Sequence, residues 1–490
     1  MKTSYLYSAK KLAILLVLIT LGLGGCKKFL DINENPNNPD SATPSLLLPT
    51  VEAAIGQLVG NNFQIYGNIW AQYWTQSPSS SQYRSIEQYS ITNTAFDRPW
   101  LITYRNALQN AQLIIDHNQP NSEHLKGMAL VLKAYTYQLA TDAWGDIPLS
   151  EALKGSEFGS PRYESQEVVY DSIFNYIDQG LAFFDAENAV DAGEQDILFQ
   201  GDIDQWRAFA NTLKLRAYLR LSQVEPAKAQ AGIAALYASN AVFLTEDASI
   251  AYSTTGGNEN PLYNETVGLG YTQNLVASAT VVRQFNRNND PRGFQAYDPV
   301  EVNGAAADTI AYIPQGSYRE NSGKRVSPPS ALVGGNAADP SSAVAPVKLI
   351  SAAESFFLQA EAAARGWAGG AADVNNLFNQ GITASFEAYG IPEQAAAYIS
   401  TAPDAQLGTG ANAIRQIITQ KYYAMCGFQG FEAWTEWRRT GYPDFLVQSA
   451  ASTLGAGRLP LRFLYPNTEI TTNLNFPGSI PLYEPVWWDK

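Results

Sequence analysis

Apolar residues recur at intervals of three and four along several segments of this chain, a spacing that places them on one face of an α-helix. Residues 165–184, with Val169, Ile173 and Ile177, and residues 204–221 both follow it. Such a face is buried only against another element, so neighbouring segments are expected to pack as antiparallel pairs. The pattern predicts a mainly α fold with a tetratricopeptide-like scaffold of helical pairs. A non-repetitive helical bundle stays open as an alternative, because no strict repeat period is present.

Two stretches lack this periodicity. Residues 248–345 are rich in Gly, Asn, Ser and Pro with scattered tyrosines, which is typical of loops and short strands. So long an irregular stretch in a compact protein is more often functional than idle. The tail, 454–490, carries five prolines and is predicted to wrap over the helices. We therefore expect one domain over 45–490, with a helical scaffold (45–247 and 346–453), a loop-rich, irregular insertion (248–345) and the wrapping tail.

The N-terminus has the pattern of a lipoprotein signal. A lysine-bearing head precedes an apolar run, 12–23, that is too short for a membrane span of about 20 residues. The run ends in Gly24-Gly25-Cys26, where small residues admit a peptidase and the thiol accepts lipid. We expect removal of residues 1–25, acylation of Cys26 (palmitate) and a flexible tether over 26–44. An ordinary secretory peptide with a chance cysteine is the alternative.

The formal net charge of the chain excludes some classes of binding partner. The full chain carries a formal charge of −14, and loss of the signal's three lysines makes it −17. Such a surface repels nucleic acid and anionic lipid, so membrane contact must come from the lipid anchor. With Cys26 acylated, Cys426 has no intramolecular partner and the fold must rest on its core.

Patterns that would indicate catalysis are weak. The chain has two histidines, His117 and His124, beside a predicted turn, which gives little support for a histidine metal site or general base. Residues 408–413 loosely fit a dinucleotide pattern but are predicted to be a loop leading into a helix near Ala411. A glycosidase needs only two carboxylates, yet no strand-rich sequence would carry them. We expect no catalytic residue, no metal and no cofactor, with calcium in residues 248–346 left open.

Several segments, in this order, carry a family resemblance. They are the sequences Cys-Lys-Lys-Phe-Leu-Asp (26–31), Asp-Ala-Trp-Gly-Asp-Ile-Pro (142–148), Leu-Gln-Ala-Glu-Ala (358–362), Gln-Gly-Phe-Glu-Ala-Trp (429–434) and Glu-Trp-Arg-Arg-Thr-Gly (436–441). Together they make the chain resemble the SusD/RagB family of outer-membrane lipoproteins from Bacteroidetes, over nearly its whole length.

The resemblance implies a function as well as a fold, and it implies that the loop-rich, irregular part is the ligand-binding part. SusD-like proteins do not catalyse; they capture an oligosaccharide, or sometimes a peptide, at the cell surface. They deliver it to a partner SusC-type TonB-dependent transporter in the outer membrane. The expected function is glycan capture and delivery, and a peptide-binding member of the family or a surface glycosidase are the alternatives.

A carbohydrate site needs aromatic faces for sugar rings and polar side chains for hydroxyl groups. The family places ligand contacts at and after the second helix, which here holds Trp74, Tyr83 and Arg84. Tyr263 and Tyr271, from the loop-rich part, are expected to lie opposite them. These five residues are the predicted ligand-binding set.

Other conspicuous residues have structural interpretations. Trp70 shares a helix with other aromatic residues on more than one side and is predicted to be core. Gly145 can take a positive φ and is predicted to end a helix. Glu436, Arg438 and Arg439 are predicted to form an internal salt-bridge cluster.

Overall fold

The computed structural model of the protein describes residues 43–302, 305–306, 309–369 and 373–489. Cys26, the signal peptide and almost all of the predicted tether lie outside these residues. Within the described ranges, no helix combines the length and the apolar character that crossing a bilayer requires.

The scaffold is α-helical, as predicted. In chain order the helices are α1 (Pro44–Gly60), α2 (Asn62–Trp70), α3 (Arg84–Glu87), α4 (Asp97–Leu101), α5 (Gln109–Asp116), α6 (Glu123–Trp144), α7 (Gln166–Phe183), α8 (Ile203–Arg220), α9 (Pro226–Ala238), α10 (Pro261–Gly268), α11 (Ala279–Asn288), α12 (Gly293–Ala296), α13 (Ala352–Ala364), α14 (Val374–Ala388), α15 (Ala395–Thr401), α16 (Ala411–Met425), α17 (Gly430–Thr440) and α18 (Asn467–Thr472). A π-helical segment, Ile102–Leu108, joins α4 to α5.

Local sequence signals set where the long helices begin and end. Asp202 caps α8 by accepting hydrogen bonds from the N–H groups of Asp204 and Gln205 at 2.9 and 3.1 Å. Ser351 caps α13 in the same way. Gly145 follows α6 with a φ of 82°, as predicted. Helix α6 then packs against α7, and α13 against α14, which is the pairing that a tetratricopeptide-like scaffold requires.

Strands are short and form two-stranded antiparallel ribbons. They are β1 (Trp74–Gln76), β2 (Ile147–Pro148), β3 (Tyr163–Glu164), β4 (Ala248–Ile250), β5 (Leu275–Ala277), β6 (Glu301–Val302), β7 (Ala305–Ala306) and β8 (Val347–Ile350). Strand β1 pairs with β5, so that Trp74 lies opposite Ala277 and Gln76 opposite Leu275. This ribbon joins the N-terminal helices to the segment 248–345.

The segment 248–345 holds more regular structure than its composition predicts, because it contains α10, α11 and α12. Two caps explain much of this. The Asn260 side chain accepts a hydrogen bond from the N–H of Leu262 at 2.8 Å, and the Ser278 hydroxyl accepts one from that of Thr280 at 3.2 Å. An Asn-Pro or Ser start signal specifies a helix even within a loop-rich composition.

The core contains a cluster of aromatic rings centred on Phe463, which comes from the tail. Its ring centroid lies 5.2 Å from that of Phe63, 5.5 Å from Trp70, 5.7 Å from Trp144 and 5.8 Å from Trp434. Trp70 is buried, as predicted. The tail therefore contributes to the core of the scaffold as well as covering it.

A buried network of charges joins five helices and contains Glu436 and Arg439 of the predicted salt-bridge cluster. Arg439 donates to both oxygens of Glu361 at 2.7 Å and to Glu436 at 2.6 Å. Nine buried side chains of the described residues take part: Arg216, Arg220, Lys421, Arg439, Asp142, Glu354, Glu361, Glu432 and Glu436. The partly exposed Arg365 also pairs with Glu361, whereas Arg438 donates to the backbone carbonyls of Asp142 and Leu461. Burying a charge is costly unless it is paired, so these residues serve the scaffold.

Candidate functional site

The β1–β5 ribbon brings two distant segments together. Because the strands are antiparallel, residues that follow Gln76 lie beside residues that precede Leu275. The N–H of Ser77 donates to the carbonyl of Asn274 at 2.8 Å. The loop 77–91 and the segment 261–274 thus form one continuous surface, which we call the ribbon-end surface.

Tyr271 is the most exposed aromatic side chain of this surface. It is 57% exposed, and Phe294 is the only other aromatic residue of comparable exposure in the part of the chain that the structure describes. Partial desolvation and the neighbouring Tyr271 hydroxyl raise the pKa of Tyr263, so the two phenol groups lie near each other. Gly270 and Tyr271 both have positive φ, of 66° and 58°, which holds the ring on a tight turn.

Arg84 is half-buried at the edge of the same surface. Its guanidinium donates to the carbonyl of Ser80 at 3.0 Å and lies 5.2 Å from the ring centroid of Tyr318. The Tyr318 hydroxyl in turn accepts a hydrogen bond from Gln88 at 2.7 Å. Arg84 is therefore held in place, and its Nε atom is buried without a hydrogen-bond partner among the described residues. Tyr318 was not identified from the sequence.

Trp74 and Tyr83 lie beneath this surface and correct part of the predicted set. Trp74 has no exposed surface, because all three residues of β1 are buried. A ring without an exposed face cannot stack on a sugar, so in this structure Trp74 is a core residue. Tyr83 is only 7% exposed. Burial and the nearby carboxylate of Glu265 raise the pKa of its hydroxyl. Ligand contact by Arg84, Tyr263 and Tyr271 stays a prediction.

An open pocket of about 330 Å³ adjoins the ribbon-end surface between α1 and α10. Its polar lining side chains are Gln57, Asn61, Arg98, Asn264 and Glu265. Asn61 fixes one wall by donating to the carbonyl of Pro261 at 3.0 Å. Amide, guanidinium and carboxylate groups together supply the donors and acceptors that hydroxyl groups need. Sequence reasoning missed this pocket, although Asn264 and Glu265 directly follow Tyr263.

Glu87 ends helix α3 within the loop 77–91, and its side chain is fully buried. Its carboxylate accepts hydrogen bonds from the N–H of Gln76 at 3.1 Å and from the hydroxyl of Ser449 at 3.4 Å. Burial outweighs these bonds and raises the pKa of Glu87 from 4.5 to about 7. The loop is therefore tied to a group that changes charge near neutral pH.

Glu87→Gln is expected to raise the free energy of unfolding at pH 8 and to change it little at pH 4. Below 4.5 the carboxyl group is protonated in both states. As pH rises from 4.5 to 7 the unfolded chain releases its proton first, so the folded protein loses stability, by up to about 3 kcal/mol above pH 7. Urea unfolding across this range measures the effect, with the exposed Glu246→Gln as control. Identical pH profiles for native and Glu87→Gln protein would contradict it.

The side chains of the ribbon-end surface are suited to binding a ligand reversibly. It offers the phenol rings of Tyr263 and Tyr271, the Arg84 guanidinium and the polar side chains of the adjoining pocket. Within the described ranges, no group of three or more His, Cys, Asp or Glu side chains is placed to hold a metal ion. A calcium ion in residues 248–346 stays an untested prediction.

The chain matches a protein-family model and many solved structures. The family described as "Starch-binding associating with outer membrane" matches residues 36–466. A chitin-binding protein is similar over 91% of this chain and 100% of its own, with 24% identity and a TM-score of 0.77. A chitin-binding SusD homologue from Flavobacterium johnsoniae matches over 91% and 97%, with 24% identity and a TM-score of 0.74. A SusD/RagB family protein from Bacteroides thetaiotaomicron matches over 91% and 99%, with 23% identity and a TM-score of 0.75. No curated protein matches the sequence.

Proposed function

This chain belongs to the SusD-like family, whose model covers residues 36–466, and we propose that it captures a neutral oligosaccharide on the ribbon-end surface. The observation that carries the proposal is the exposed ring of Tyr271 beside Tyr263, within reach of the polar loop 77–91. The binding descriptions among the matches are of starch and chitin, which are both neutral glycans. They favour a glycan over a peptide as the ligand.

The contacts available suit capture and release. A sugar ring stacked on a tyrosine gains about 0.5–1.5 kcal/mol, by analogy with aromatic pairs. Arg84 and the side chains of the adjoining pocket would hydrogen-bond hydroxyl groups at the rim. A few such contacts give modest affinity and rapid dissociation, which a delivery protein needs. We propose that the protein breaks no bond in its ligand and uses no resident cofactor.

Delivery completes the proposed function. A lipid on Cys26 would hold the domain at the outer membrane, with which the family is described as associating. From the cell surface it would pass the oligosaccharide to a SusC-type TonB-dependent transporter. The formal charge of −17 on the chain without its signal does not hinder this role, because a neutral glycan feels no long-range repulsion.

Tyr271→Ala is expected to weaken oligosaccharide binding about 2- to 12-fold, because it removes the stacking contact and leaves the rim intact. Isothermal titration calorimetry with maltoheptaose and with chitohexaose, on the full mature domain, measures the change. Because Tyr271 is exposed, its loss should leave the free energy of unfolding within about 0.5 kcal/mol of native.

Phe294→Ala is the matched control, since it also removes an exposed aromatic ring and Phe294 lies outside the ribbon-end surface. Its affinity should equal that of the native protein. Equal affinities for Tyr271→Ala and Phe294→Ala would refute the assignment of this surface, and release of reducing sugar by native protein would refute non-catalytic capture.

A further inference from the structure

A second open pocket, of about 290 Å³, lies between the helical segment 97–116 and the loop that follows β2. Its lining comes from both elements and from the tail, and includes Trp100, Tyr104, Arg105, Glu151, Lys154, Phe158 and Glu469. None of these residues belongs to the ribbon-end surface. We call it the Trp100 pocket.

Aromatic rings are held in fixed positions along its wall. The ring centroids of Trp100 and Tyr104 lie 4.6 Å apart, and Trp100 packs edge-on against Trp144 at 5.0 Å. The Tyr104 hydroxyl donates to the carbonyl of Pro148 at 2.8 Å, which joins the helix to the opposite wall. Phe158 is half-buried on that opposite wall. The pocket is therefore formed before any ligand arrives.

The backbone of the helical wall is unusual. Tyr104 and Arg105 both line the pocket although they are consecutive, and they lie within the π-helical segment Ile102–Leu108. Such segments are rare and occur often at functional sites, where the wider turn displays side chains that an α-helix would separate. Across the pocket Leu153 has a φ of 66°, an uncommon conformation for a leucine.

The rim carries both hydrogen-bond donors and acceptors. Within the described ranges, neither Arg105 nor Lys154 donates a side-chain hydrogen bond, and the Lys154 ammonium lies 5.3 Å from the ring centroid of Phe158. The acceptors are oriented by neighbours. Glu151 accepts from the N–H of Arg162 at 2.8 Å, and Glu469 accepts from the hydroxyl of Tyr163 at 2.6 Å.

We propose that the Trp100 pocket is a second binding site, for one sugar ring of a neutral glycan. An anionic ligand would meet Glu151 and Glu469, a cationic ligand would meet Arg105 and Lys154, and an apolar ligand would leave the two basic side chains without hydrogen-bond partners. A neutral polyhydroxyl ring has an apolar face for the half-buried rings of Tyr104 and Phe158 and hydroxyl groups for both kinds of rim residue. Trp100, which is only 7% exposed, supports the Tyr104 ring from the core side. The inference rests on the proposed glycan capture for its ligand class.

Two sites on one chain change how a polymer binds. Once the ribbon-end surface holds one part of a polysaccharide, the Trp100 pocket meets the rest at a raised effective concentration. A long glycan is then retained better than a short fragment of it, provided that it spans both sites.

Equilibrium dialysis with labelled maltoheptaose and labelled chitohexaose, taken to saturation, counts the sites directly. Native protein should bind about two molecules of an accepted oligosaccharide, and Phe158→Ala and Tyr271→Ala should each weaken one of the two sites about 2- to 12-fold while the other site keeps its native affinity. The double variant Arg105→Ala/Lys154→Ala repeats the test with exposed side chains whose loss should not affect folding. Phe294→Ala should keep both sites.

The outcomes separate the two proposals. A single site whose affinity falls in Tyr271→Ala and is unchanged in Phe158→Ala would overturn the second site and leave the first. A single site whose affinity falls in Phe158→Ala alone would support the Trp100 pocket and overturn the assignment of the ribbon-end surface. Native protein that binds neither oligosaccharide would overturn neutral-glycan capture at both.

Discussion

Replacing Arg220 with methionine is expected to lower the free energy of unfolding by about 3–5 kcal/mol at pH 7.5. Arg220 is fully buried and donates to three carboxylates: to Glu432 at 2.5 Å, to Asp142 at 3.2 Å and to Glu436. Methionine fills similar space but supplies no charge. The three acids would stay buried with fewer cations to balance them.

The pH dependence of the lost unfolding free energy in Arg220→Met identifies its cause. In the native protein burial alone would raise the pKa of Glu436, but Arg439, Lys421 and Arg220 outweigh it and hold that pKa well below its ordinary value. Without Arg220 the carboxylates bind protons more readily when folded. The penalty of Arg220→Met should therefore be largest above neutral pH and should shrink towards pH 5, where the orphaned acids protonate.

Urea unfolding at pH 5 and pH 7.5 measures both effects. Arg207→Met is the matched control, because Arg207 lies on the same helix and pairs with Asp185 at 2.7 Å, with side chains that are 31% and 72% exposed. An exposed pair contributes at most about 1 kcal/mol, so this control should remain close to native. Equal losses for the two variants would show that the buried network contributes no more than a surface ion pair.

The sequence indicates that α17 carries paired charges, but it does not indicate which residues on the other helices pair with them. Glu436, Arg438 and Arg439 lie close to Trp434 and Trp437, and charges in such an apolar context suggest internal pairing. The acids and bases that complete the network come from helices far away in the chain. No periodicity or spacing links Arg220 to Glu436, since their contact depends on how several helices pack.

Helical periodicity predicted the scaffold well where a long helix buries one face, as α7 does with Val169, Ile173 and Ile177. It underestimated the segment 248–345, where α10 and α12 are too short to show a period and α11 shows one over only ten residues. Their start signals, such as Asn260-Pro261, are visible in the sequence. These start signals are not apparent when the composition is averaged over the whole segment 248–345.

The sequence predicted which segments meet at the candidate site better than it predicted which residues are exposed there. The loop after the second helix and the segment around Tyr271 do meet, but through the β1–β5 ribbon, which single-sequence reasoning did not identify. That ribbon also explains why Trp74 lies inside. Tryptophan occurs both in short buried strands and in exposed loops. The residue type alone therefore could not show that Trp74 lies in a strand that is buried on both faces.

Gly67→Ala is expected to destabilise the protein by about 3 kcal/mol or more, although alanine is the better helix former by about 1 kcal/mol. Helices α2 and α17 approach each other at Gly67. A Cβ atom there would lie 2.1 Å from the backbone nitrogen of Phe431 and 2.4 Å from the carbonyl carbon of Gly430. A flexible side chain could move away, but these atoms belong to a helix backbone.

The surrounding contacts prevent the two helices from separating. The ring centroids of Phe63 and Phe431 lie 4.4 Å apart and those of Trp70 and Trp434 lie 4.9 Å apart, so a shift of α17 would disrupt both pairs. Gly268→Ala is the matched control: no atom lies within 4 Å of its added Cβ, and the helix should gain up to about 1 kcal/mol. Urea unfolding compares the two variants, and a Gly67→Ala protein as stable as Gly268→Ala would show that the close approach of α2 and α17 can relax without cost.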